Sequence, residues 1–166
     1  MGSKPTKAAN NIYCQARMEA STYDDRLKSR EKAAEMMGYD PSTVAGWELG
    51  SSRPSPEAVL IMSDRYNAPH LCNHFCASEC PLGSDTPELI TGDLDRITLR
   101  ALGAMKDLRV VKDTLIEITA DGKIDETELQ ELEEILAVFD ELSSIHNSLK
   151  NWYQKHSHSK KAKEEL

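Results

Sequence analysis

The sequence predicts an all-α protein, and three observations lead to that prediction. Apolar side chains recur at steps of three and four along most of the chain, which is the period of an amphipathic helix. Glycines and prolines stand between the apolar runs, where helices end or begin. Aromatic residues make up only 5% of the chain and charged residues 29%, a balance typical of helical surfaces rather than of β-sandwiches.

Two short helices and a tight turn occupy residues 29–54, the most informative stretch of the chain. The hydroxyl of Ser29 can accept from the free N–H groups at the start of a helix, so Ser29 is the predicted N-cap of the first one. Gly38 follows the last apolar residue of that helix. It is predicted to end the helix, because glycine adopts a left-handed conformation without steric cost.

The second helix of this stretch has a defined beginning and end. Asp40 is the predicted N-cap, and Pro41 occupies the first helical position, where a missing N–H is not needed. Val44 and Trp47 share one helical face and are expected to point inward, and Gly50 ends the helix. Two short helices joined in this way form a helix-turn-helix, whose second helix enters the major groove of DNA.

This stretch resembles the Xre/Cro/C1 family of phage and bacterial repressors. The residues that carry the resemblance are Ser29, Arg30, Ala34, Gly38, Asp40, Val44, Trp47, Glu48 and Gly50, with Pro54 opening the next helix. With the flanking helices at 10–23 and 55–67, it covers about a third of the chain. The resemblance implies a five-helix, lambda-repressor-like domain over residues 10–81. It also implies a regulator that blocks or recruits transcription at short DNA palindromes.

DNA contacts are expected from the start of the second helix and from its flanks. Ala45 and Gly46 fill positions where relatives often carry longer polar side chains, so direct reading of bases should be modest. Thr43 can contact a thymine methyl group, while Arg30 and Arg53 are placed for phosphate or groove contacts. The predicted DNA-binding residues are Arg30, Ser42, Thr43, Gly46, Ser51 and Arg53.

The formal charge of −8 is unevenly distributed along the chain. Residues 1–83 carry 9 Lys and Arg against 10 Asp and Glu, whereas residues 84–166 carry 11 against 18. The half with the helix-turn-helix is therefore close to neutral. Such a domain should bind non-specific DNA weakly and with strong salt dependence, so two copies in a dimer are needed for useful affinity.

A hinge at 82–92 and a helical hairpin at 93–156 are predicted to follow the first domain. The hinge is rich in Pro, Gly, Ser and Thr, and a glycine turn at Ala120, Asp121 and Gly122 separates the two arms. In the second arm, apolar residues alternate steps of three and four, the spacing of a coiled-coil seam that one histidine interrupts. The members of this stripe are Leu132, Ile135, Phe139, Leu142, His146, Leu149 and Tyr153.

A hairpin of two helices has too thin a core to bury these stripes by itself. We expect a second copy of the chain to cover them, which makes the protein a homodimer. The alternative is that the stripes fold back onto the first domain. The predicted dimerisation residues are Leu132, Ile135, Phe139, Leu142 and Leu149.

Three of the four cysteines, Cys72, Cys76 and Cys80, are spaced by four, with His74 beside them. Thiolates and imidazoles are zinc ligands, but on a straight helix the outer two cysteines are about 12 Å apart, too far to share one ion. We therefore predict no cofactor and buried structural thiols here. A metal site built from these residues, or a redox switch, is the less favoured alternative.

The turn between the two arms partly matches a calcium-binding loop, with Glu128 at the bidentate twelfth position. Its first and third positions would be Glu117 and Thr119, which match poorly. The favoured interpretation is a capping box, in which Asp125 caps the next helix and Glu128 returns a hydrogen bond. No enzyme motif is present: the chain has no phosphate-binding glycine loop, no H-E-x-x-H and no G-x-S-x-G. We expect a protein that is not an enzyme.

The sequence predicts a cytoplasmic DNA-binding regulator, with no membrane span and no signal peptide. Three other functions stay open. One is an antitoxin whose hairpin masks a toxin, and another is a regulator that responds to metal or thiol chemistry. The third is a host-defence inhibitor that uses its acidic half to mimic or block nucleic acid.

Overall fold

The structure is a computed structural model that describes residues 8–83, 85–90, 92–123 and 125–164, with only the backbone of residues 9 and 158–164. The regular structure within these ranges is helical and includes no strand, so the all-α prediction is confirmed. Two compact units are present: the described residues up to Thr86 with those from Gln154 onward, and Pro87–Tyr153. The α-helices are α1 Ile12–Ala20, α2 Arg30–Met37, α3 Pro41–Leu49, α4 Pro56–Arg65, α5 His70–His74, α6 Leu94–Ile118 and α7 Glu126–Glu164.

The predicted ends of α2 and α3 are confirmed. Ser29 Oγ accepts from the Lys32 N–H, and Asp40 accepts from the Ser42 N–H. Gly38 and Gly50 both lie in the left-handed region, with φ of 76° and 70°. The helix-turn-helix is therefore determined by local sequence at four points before any tertiary packing is considered.

The first unit has one continuous core. Side chains from α1 to α5 meet there, and small residues such as Ala20, Ala33 and Ala34 are wholly buried where helices approach closely. Leu27, from a 3₁₀ turn between α1 and α2, fills the centre of this core. A salt bridge of 2.6 Å joins Lys155, in the C-terminal part of α7, to Glu19 of α1 within this unit.

Three details of the first unit differ from the sequence prediction. The first helix is shorter than the predicted 10–23, because Asn11 caps it and accepts from the N–H groups of Tyr13 and Cys14. The fourth helix begins at Pro56 with Ser55 as its N-cap, so Pro54 lies outside it. The fifth helix changes at Phe75 into a π-helical turn that runs to Glu79.

The second unit is an antiparallel hairpin of α6 and α7. Four residues of α6, spaced by seven, are buried: Ile97, Ala104, Val111 and Ile118. They pack against Ile135 and Ile145 of α7 in two small separate clusters. Strict seven-residue spacing keeps one helical face against its partner along the whole contact, as in a coiled coil.

The inner face of α7 matches the predicted stripe only in part. Leu132, Ile135 and Leu142 do pack against α6 within the hairpin. Val138 and Ile145 belong to the face that packs on α6, whereas Phe139 and Tyr153 are exposed. His146 is also exposed, so it does not interrupt the seam. The predicted stripe mixed two neighbouring faces of one helix, because positions four apart differ by only about 40° around its axis.

The turn between α6 and α7 is a capping box, as predicted. Asp125 Oδ1 accepts from the N–H groups of Thr127 and Glu128, and Glu128 Oε2 accepts from the Asp125 N–H at 2.9 Å. Gly122 adopts a φ of 73° just after α6. The Glu128 carboxylate that a calcium loop would need for bidentate binding is thus engaged with the backbone.

Candidate nucleic-acid interface

The buried face of α3 is held by contacts from three directions. Val44 and Trp47 enter the core, and the Trp47 ring stands edge-on to Tyr39 with centroids 4.9 Å apart. Asn11 Nδ2 donates to the Trp47 carbonyl at 2.9 Å, so the residue that caps α1 also bonds the last turn of α3. These contacts fix the orientation of α3 and of the face that it presents to solvent.

An ion pair lies in the core beneath α3. Glu48 is 1% exposed, and its two carboxylate oxygens accept from Arg17 Nε at 2.6 Å and Arg17 Nη2 at 3.0 Å. Arg17 Nη1 donates to the Leu27 carbonyl at 2.7 Å. This two-pronged pair connects α1, the 3₁₀ turn and α3, and removing either partner would leave an uncompensated buried charge.

Sequence reasoning did not identify this pair, although a signal was available. Glu48 lies four residues after Val44, on the same helical face, and Arg17 lies four residues after Tyr13 on the buried face of α1. A charged side chain on an apolar helical face needs a partner of opposite charge. Arg17 on α1 and Glu48 on α3 are two such residues of opposite charge, so their ion pair could have been predicted from the sequence.

Arg30 is held by the same carboxylate. Its Nε donates to Glu48 Oε2 at 2.9 Å, and its side chain remains one-third exposed. Burial would raise the pKa of Glu48, but the hydrogen bonds and charges of Arg17 and Arg30 outweigh burial and lower it. Glu48 is therefore ionised at neutral pH and can hold both arginines.

The exposed face of α3 is small and uncharged. Ser42 is exposed, and its hydroxyl bonds Asp40 Oδ1 within the N-cap; Thr43 and Gly46 are half-buried. This bond is the largest cause of a lowered pKa at Asp40, followed by the N–H of Ser42. The predicted exposure thus holds for Ser42 and is only partial for Thr43 and Gly46.

Gly46 has a packing role that the sequence did not show. Its carbonyl accepts from the N–H groups of Ser51 at 2.9 Å and Ser52 at 3.3 Å, and a Cβ added at Gly46 would lie 2.6 Å from Ser52 Oγ. A side chain at this position would therefore require the Ser52 hydroxyl to move. The turn after α3 presents Ser51 and Arg53 to solvent.

Basic side chains near α3 are few. Residues 25–70 carry six Lys and Arg against seven Asp and Glu, and no basic residue lies on α3 itself. Arg26 and Lys28 pair with Asp24 and Asp25. Arg53 is exposed in the turn that follows α3. Arg30 is held beside the end of α3 by its hydrogen bond to Glu48.

The prediction that Cys72, Cys76 and Cys80 are buried thiols is wrong, because the fifth helix and the turn that follows it leave all three at least partly exposed. Cys14 is buried and Cys76 exposed, while Cys72 and Cys80 are half-buried. His74 instead lies near Glu79, at 3.5 Å from its Oε1, and that oxygen accepts from the Tyr13 hydroxyl at 2.7 Å. In the part of the chain that the structure describes, no group of three His, Cys, Asp or Glu residues is arranged to hold a metal ion.

The family comparison covers the central part of the first unit. A helix-turn-helix family model matches residues 25–70, which include α2, α3 and α4. No curated protein and no solved structure matches the chain at a significant level. Among the described helices, none combines the length and the hydropathy needed to cross a membrane. Residues 25–70 are a DNA-binding helix-turn-helix domain of the Xre/Cro/C1 type.

Proposed function

We propose that the chain is a sequence-specific transcriptional repressor that binds DNA as a homodimer. The observation that carries the proposal is the ordered face of α3, which the buried Arg17–Glu48 pair holds at the surface beside the turn with Arg53. A rigid element that presents polar side chains is what base recognition in the major groove requires. A cytoplasmic location follows from the DNA ligand and belongs to the same proposal.

Within this proposal the residues have different roles. Thr43 and Ser42, near the start of α3, contact base edges, and the short side chains make this contact modest. Arg53 and the Ser51 hydroxyl contact phosphates and fix the register of the domain. Arg30 is already ordered by Glu48 before DNA arrives, so its contact would cost less side-chain entropy.

The weak positive charge of the domain supports binding by two copies. Six basic against seven acidic residues in residues 25–70 cannot supply a large electrostatic affinity from one copy. Two copies related by a two-fold axis would contact two half-sites in an inverted arrangement, about 34 Å apart. Repression follows if such a site overlaps a promoter, because the bound dimer excludes the polymerase.

The test is selection of bound duplexes from a random pool, followed by affinity measurements on the enriched sequence. Arg53→Ala should weaken binding to all sequences and reduce the slope of log affinity against log salt concentration by about one per chain. Thr43→Ala should instead change the preferred base at one position. Arg65→Ala is the matched control, since Arg65 is also exposed but ends α4. No enriched sequence, or equal losses for Arg53 and Arg65, would contradict the proposal.

An antitoxin is the second candidate, because the hairpin exposes large apolar side chains that another protein could cover. Such a protein would still bind DNA through α3, and its hairpin would be the binding site for a toxin. A neighbouring gene product that forms a stable complex with the purified chain would favour it. The oligomeric state of the chain alone also discriminates between the two.

A further inference from the structure

One side of the hairpin is an apolar face with no partner within the unit. We define the hairpin's apolar face as Leu102, Met105 and Ile116 of α6 with Leu129, Leu136 and Phe139 of α7. These six large side chains are 42–61% exposed. So many exposed apolar groups on a two-helix unit indicate a surface that another protein covers.

The helical register places these residues on the same side of the hairpin. Leu102 and Met105 each come one residue after a member of the α6 seam, Ala101 and Ala104. Phe139 likewise follows Val138 of the α7 seam. Antiparallel helices that pack side by side are related by a two-fold axis perpendicular to their common plane. The same step from the seam therefore leads to the same side on both helices.

The opposite side of the hairpin is a groove of about 250 Å³ with an acidic rim. Val110 and Val138 contribute to its apolar floor, and Asp107, Glu131 and Glu134 surround it. Two such sides brought together would place carboxylates against carboxylates without compensating bases. The acidic groove is therefore not complementary to itself, which favours the hairpin's apolar face as the surface for self-association.

The charges that border the hairpin's apolar face differ between its helices. On α6 the exposed neighbours are two bases, Lys106 and Arg109, with one acid, Asp113, whereas on α7 they are Glu133 and Asp140. Helix α7 has no Lys or Arg from 126 to 149. Packing α6 on its own copy would juxtapose bases, and packing α7 on its own copy would juxtapose acids. Packing α6 against the α7 of another copy brings the two α6 bases to the α7 acids, and Arg109 then lies one helical turn from the level at which Asp113 and Glu133 meet.

The levels of these charges along the hairpin also match. Ile135 packs with Val111, and Ile145 packs with Ala104, so Lys106 of α6 stands at about the height of Asp140 of α7. A two-fold axis parallel to the helices keeps each residue at its own height and exchanges α6 with α7. Under that operation Lys106 faces Asp140 of the second copy, and the pairing occurs twice.

We propose that a second copy of this chain covers the hairpin's apolar face, with the two-fold axis parallel to α6 and α7, to form a four-helix bundle. The proposal rests on the homodimer of the proposed function and specifies its interface. A precedent exists inside the chain, because Arg100 of α6 already pairs with Glu141 of α7 at 2.8 Å. The interface extends the same pairing of α6 bases with α7 acids to a second copy.

The mass of the full chain in solution, measured without DNA by light scattering, is the first test. Wild type should be a dimer, and the double variant Leu136→Lys/Phe139→Lys should be a monomer with unchanged helix content. Val110→Lys is the matched control, because Val110 is exposed on the opposite side, and it should remain dimeric. A monomeric wild type would overturn the proposal and leave a different protein as the occupant. A dimeric double variant would also overturn it.

A charge exchange tests the axis without touching the apolar residues. Lys106→Glu alone and Asp140→Lys alone should each weaken dimerisation by roughly tenfold, because each places two like-charged pairs at the interface. An equimolar mixture should form mixed dimers of wild-type stability, since both pairs are then opposite in charge. Native mass spectrometry distinguishes mixed from uniform dimers. A random mixture of all three dimers would contradict the proposed axis.

The two proposals can fail independently. A chain that enriches no DNA sequence but shows the mixed dimers would refute the repressor and leave the interface standing. A chain that enriches a specific duplex but is monomeric at every concentration would refute the interface and the homodimer, and would leave specific DNA binding standing. Mass without DNA and enrichment with DNA therefore report on different claims.

Discussion

The two units of this chain bury apolar side chains to very different extents. The first unit joins fifteen buried residues in one cluster, whereas the hairpin has two clusters with three buried residues each among the described residues. The first unit also buries an ion pair with both partners about 95% or more enclosed. The contrast teaches that the helix-turn-helix domain has an extensive core of its own, while the hairpin has two small clusters that a partner would enlarge.

Loss of the buried ion pair should have the largest effect on the first unit. Glu48→Gln leaves the Arg17 charge enclosed without a counterion, and such a break typically costs 3–5 kcal/mol, about half of a small domain's stability. Urea unfolding followed by helix content measures it. Asp24→Asn removes an exposed partner of Arg26 and serves as the control, which should unfold like wild type. Equal midpoints for Glu48→Gln and wild type would contradict a structural role for the pair.

Acid should act on the same pair. The pKa of Glu48 is lower in the folded chain than in the unfolded one, so its stabilisation is fully present above the unfolded value of about 4.3. It is then lost as the pH falls through the lower folded value. Stability of the first unit should therefore decrease below about pH 4, and less steeply in Glu48→Gln. The measurement is the free energy of unfolding as a function of pH, over roughly pH 2.5 to 6, which includes the unfolded pKa of about 4.3.

The stability of the two units should depend differently on protein concentration. If a second copy stabilises the hairpin, each tenfold rise in concentration adds about 1.4 kcal/mol to the dimer, whereas the first unit should not respond. Hydrogen exchange resolved by peptide can follow α6 and α4 in the same sample. Greater protection of α6 at high concentration, with α4 unchanged, is the expected result. Protection of α6 that does not vary with concentration would contradict the comparison.

Two glycine substitutions should affect different properties of the protein. Gly103→Ala lies in α6 with nothing within 4 Å of the added methyl group, so the gain in helix propensity should stabilise the hairpin by about 1 kcal/mol. Gly46→Ala gains the same propensity but meets Ser52 Oγ, so net stability should change by less than about 1 kcal/mol. Affinity for the enriched duplex should fall only for Gly46→Ala. Unaltered affinity would show that the turn after α3 does not contact DNA.

Changes at the cysteines should have the smallest effect on stability and DNA binding. Cys76 is exposed and should react first with an alkylating reagent, whereas burial raises the pKa of the Cys14 thiol and should make it the slowest. Mass spectrometry of partially labelled chains gives the order. Cys76→Ser should leave unfolding and DNA preference unchanged, which would argue against a sensor function at this residue. Loss of DNA binding on labelling Cys76 alone would reverse that conclusion.

The sequence was sufficient for those parts of the fold that local chemistry determines. Ser29, Gly38, Asp40 and Gly50 set the ends of α2 and α3 by their own hydrogen bonds or conformation, so they could be predicted without tertiary information. The face of α7 could not be predicted as reliably. It carries apolar residues on two adjacent stripes, and only the position of α6 determines which of them is buried.

The candidate site was only partly predictable for a similar reason. The exposure of Ser42 and Arg53 followed from their places next to the ends of α3. The involvement of Arg30 with Glu48, and of Gly46 with Ser52, depends on which segments pack together in space. Pairs separated along the chain leave no periodic signal, so tertiary contacts had to reveal them.

Stoichiometry on the enriched duplex tests the central claim most directly. Native mass spectrometry of the full chain with that duplex should show two chains bound to one duplex, whose sequence contains two inverted half-sites about one helical turn apart. The Leu136→Lys/Phe139→Lys variant should bind the same half-sites singly and more weakly. A complex of one wild-type chain with a site that lacks symmetry, or no complex at all, would be the contradicting result. Either would mean that the protein does not bind DNA as a dimer held together by its hairpins.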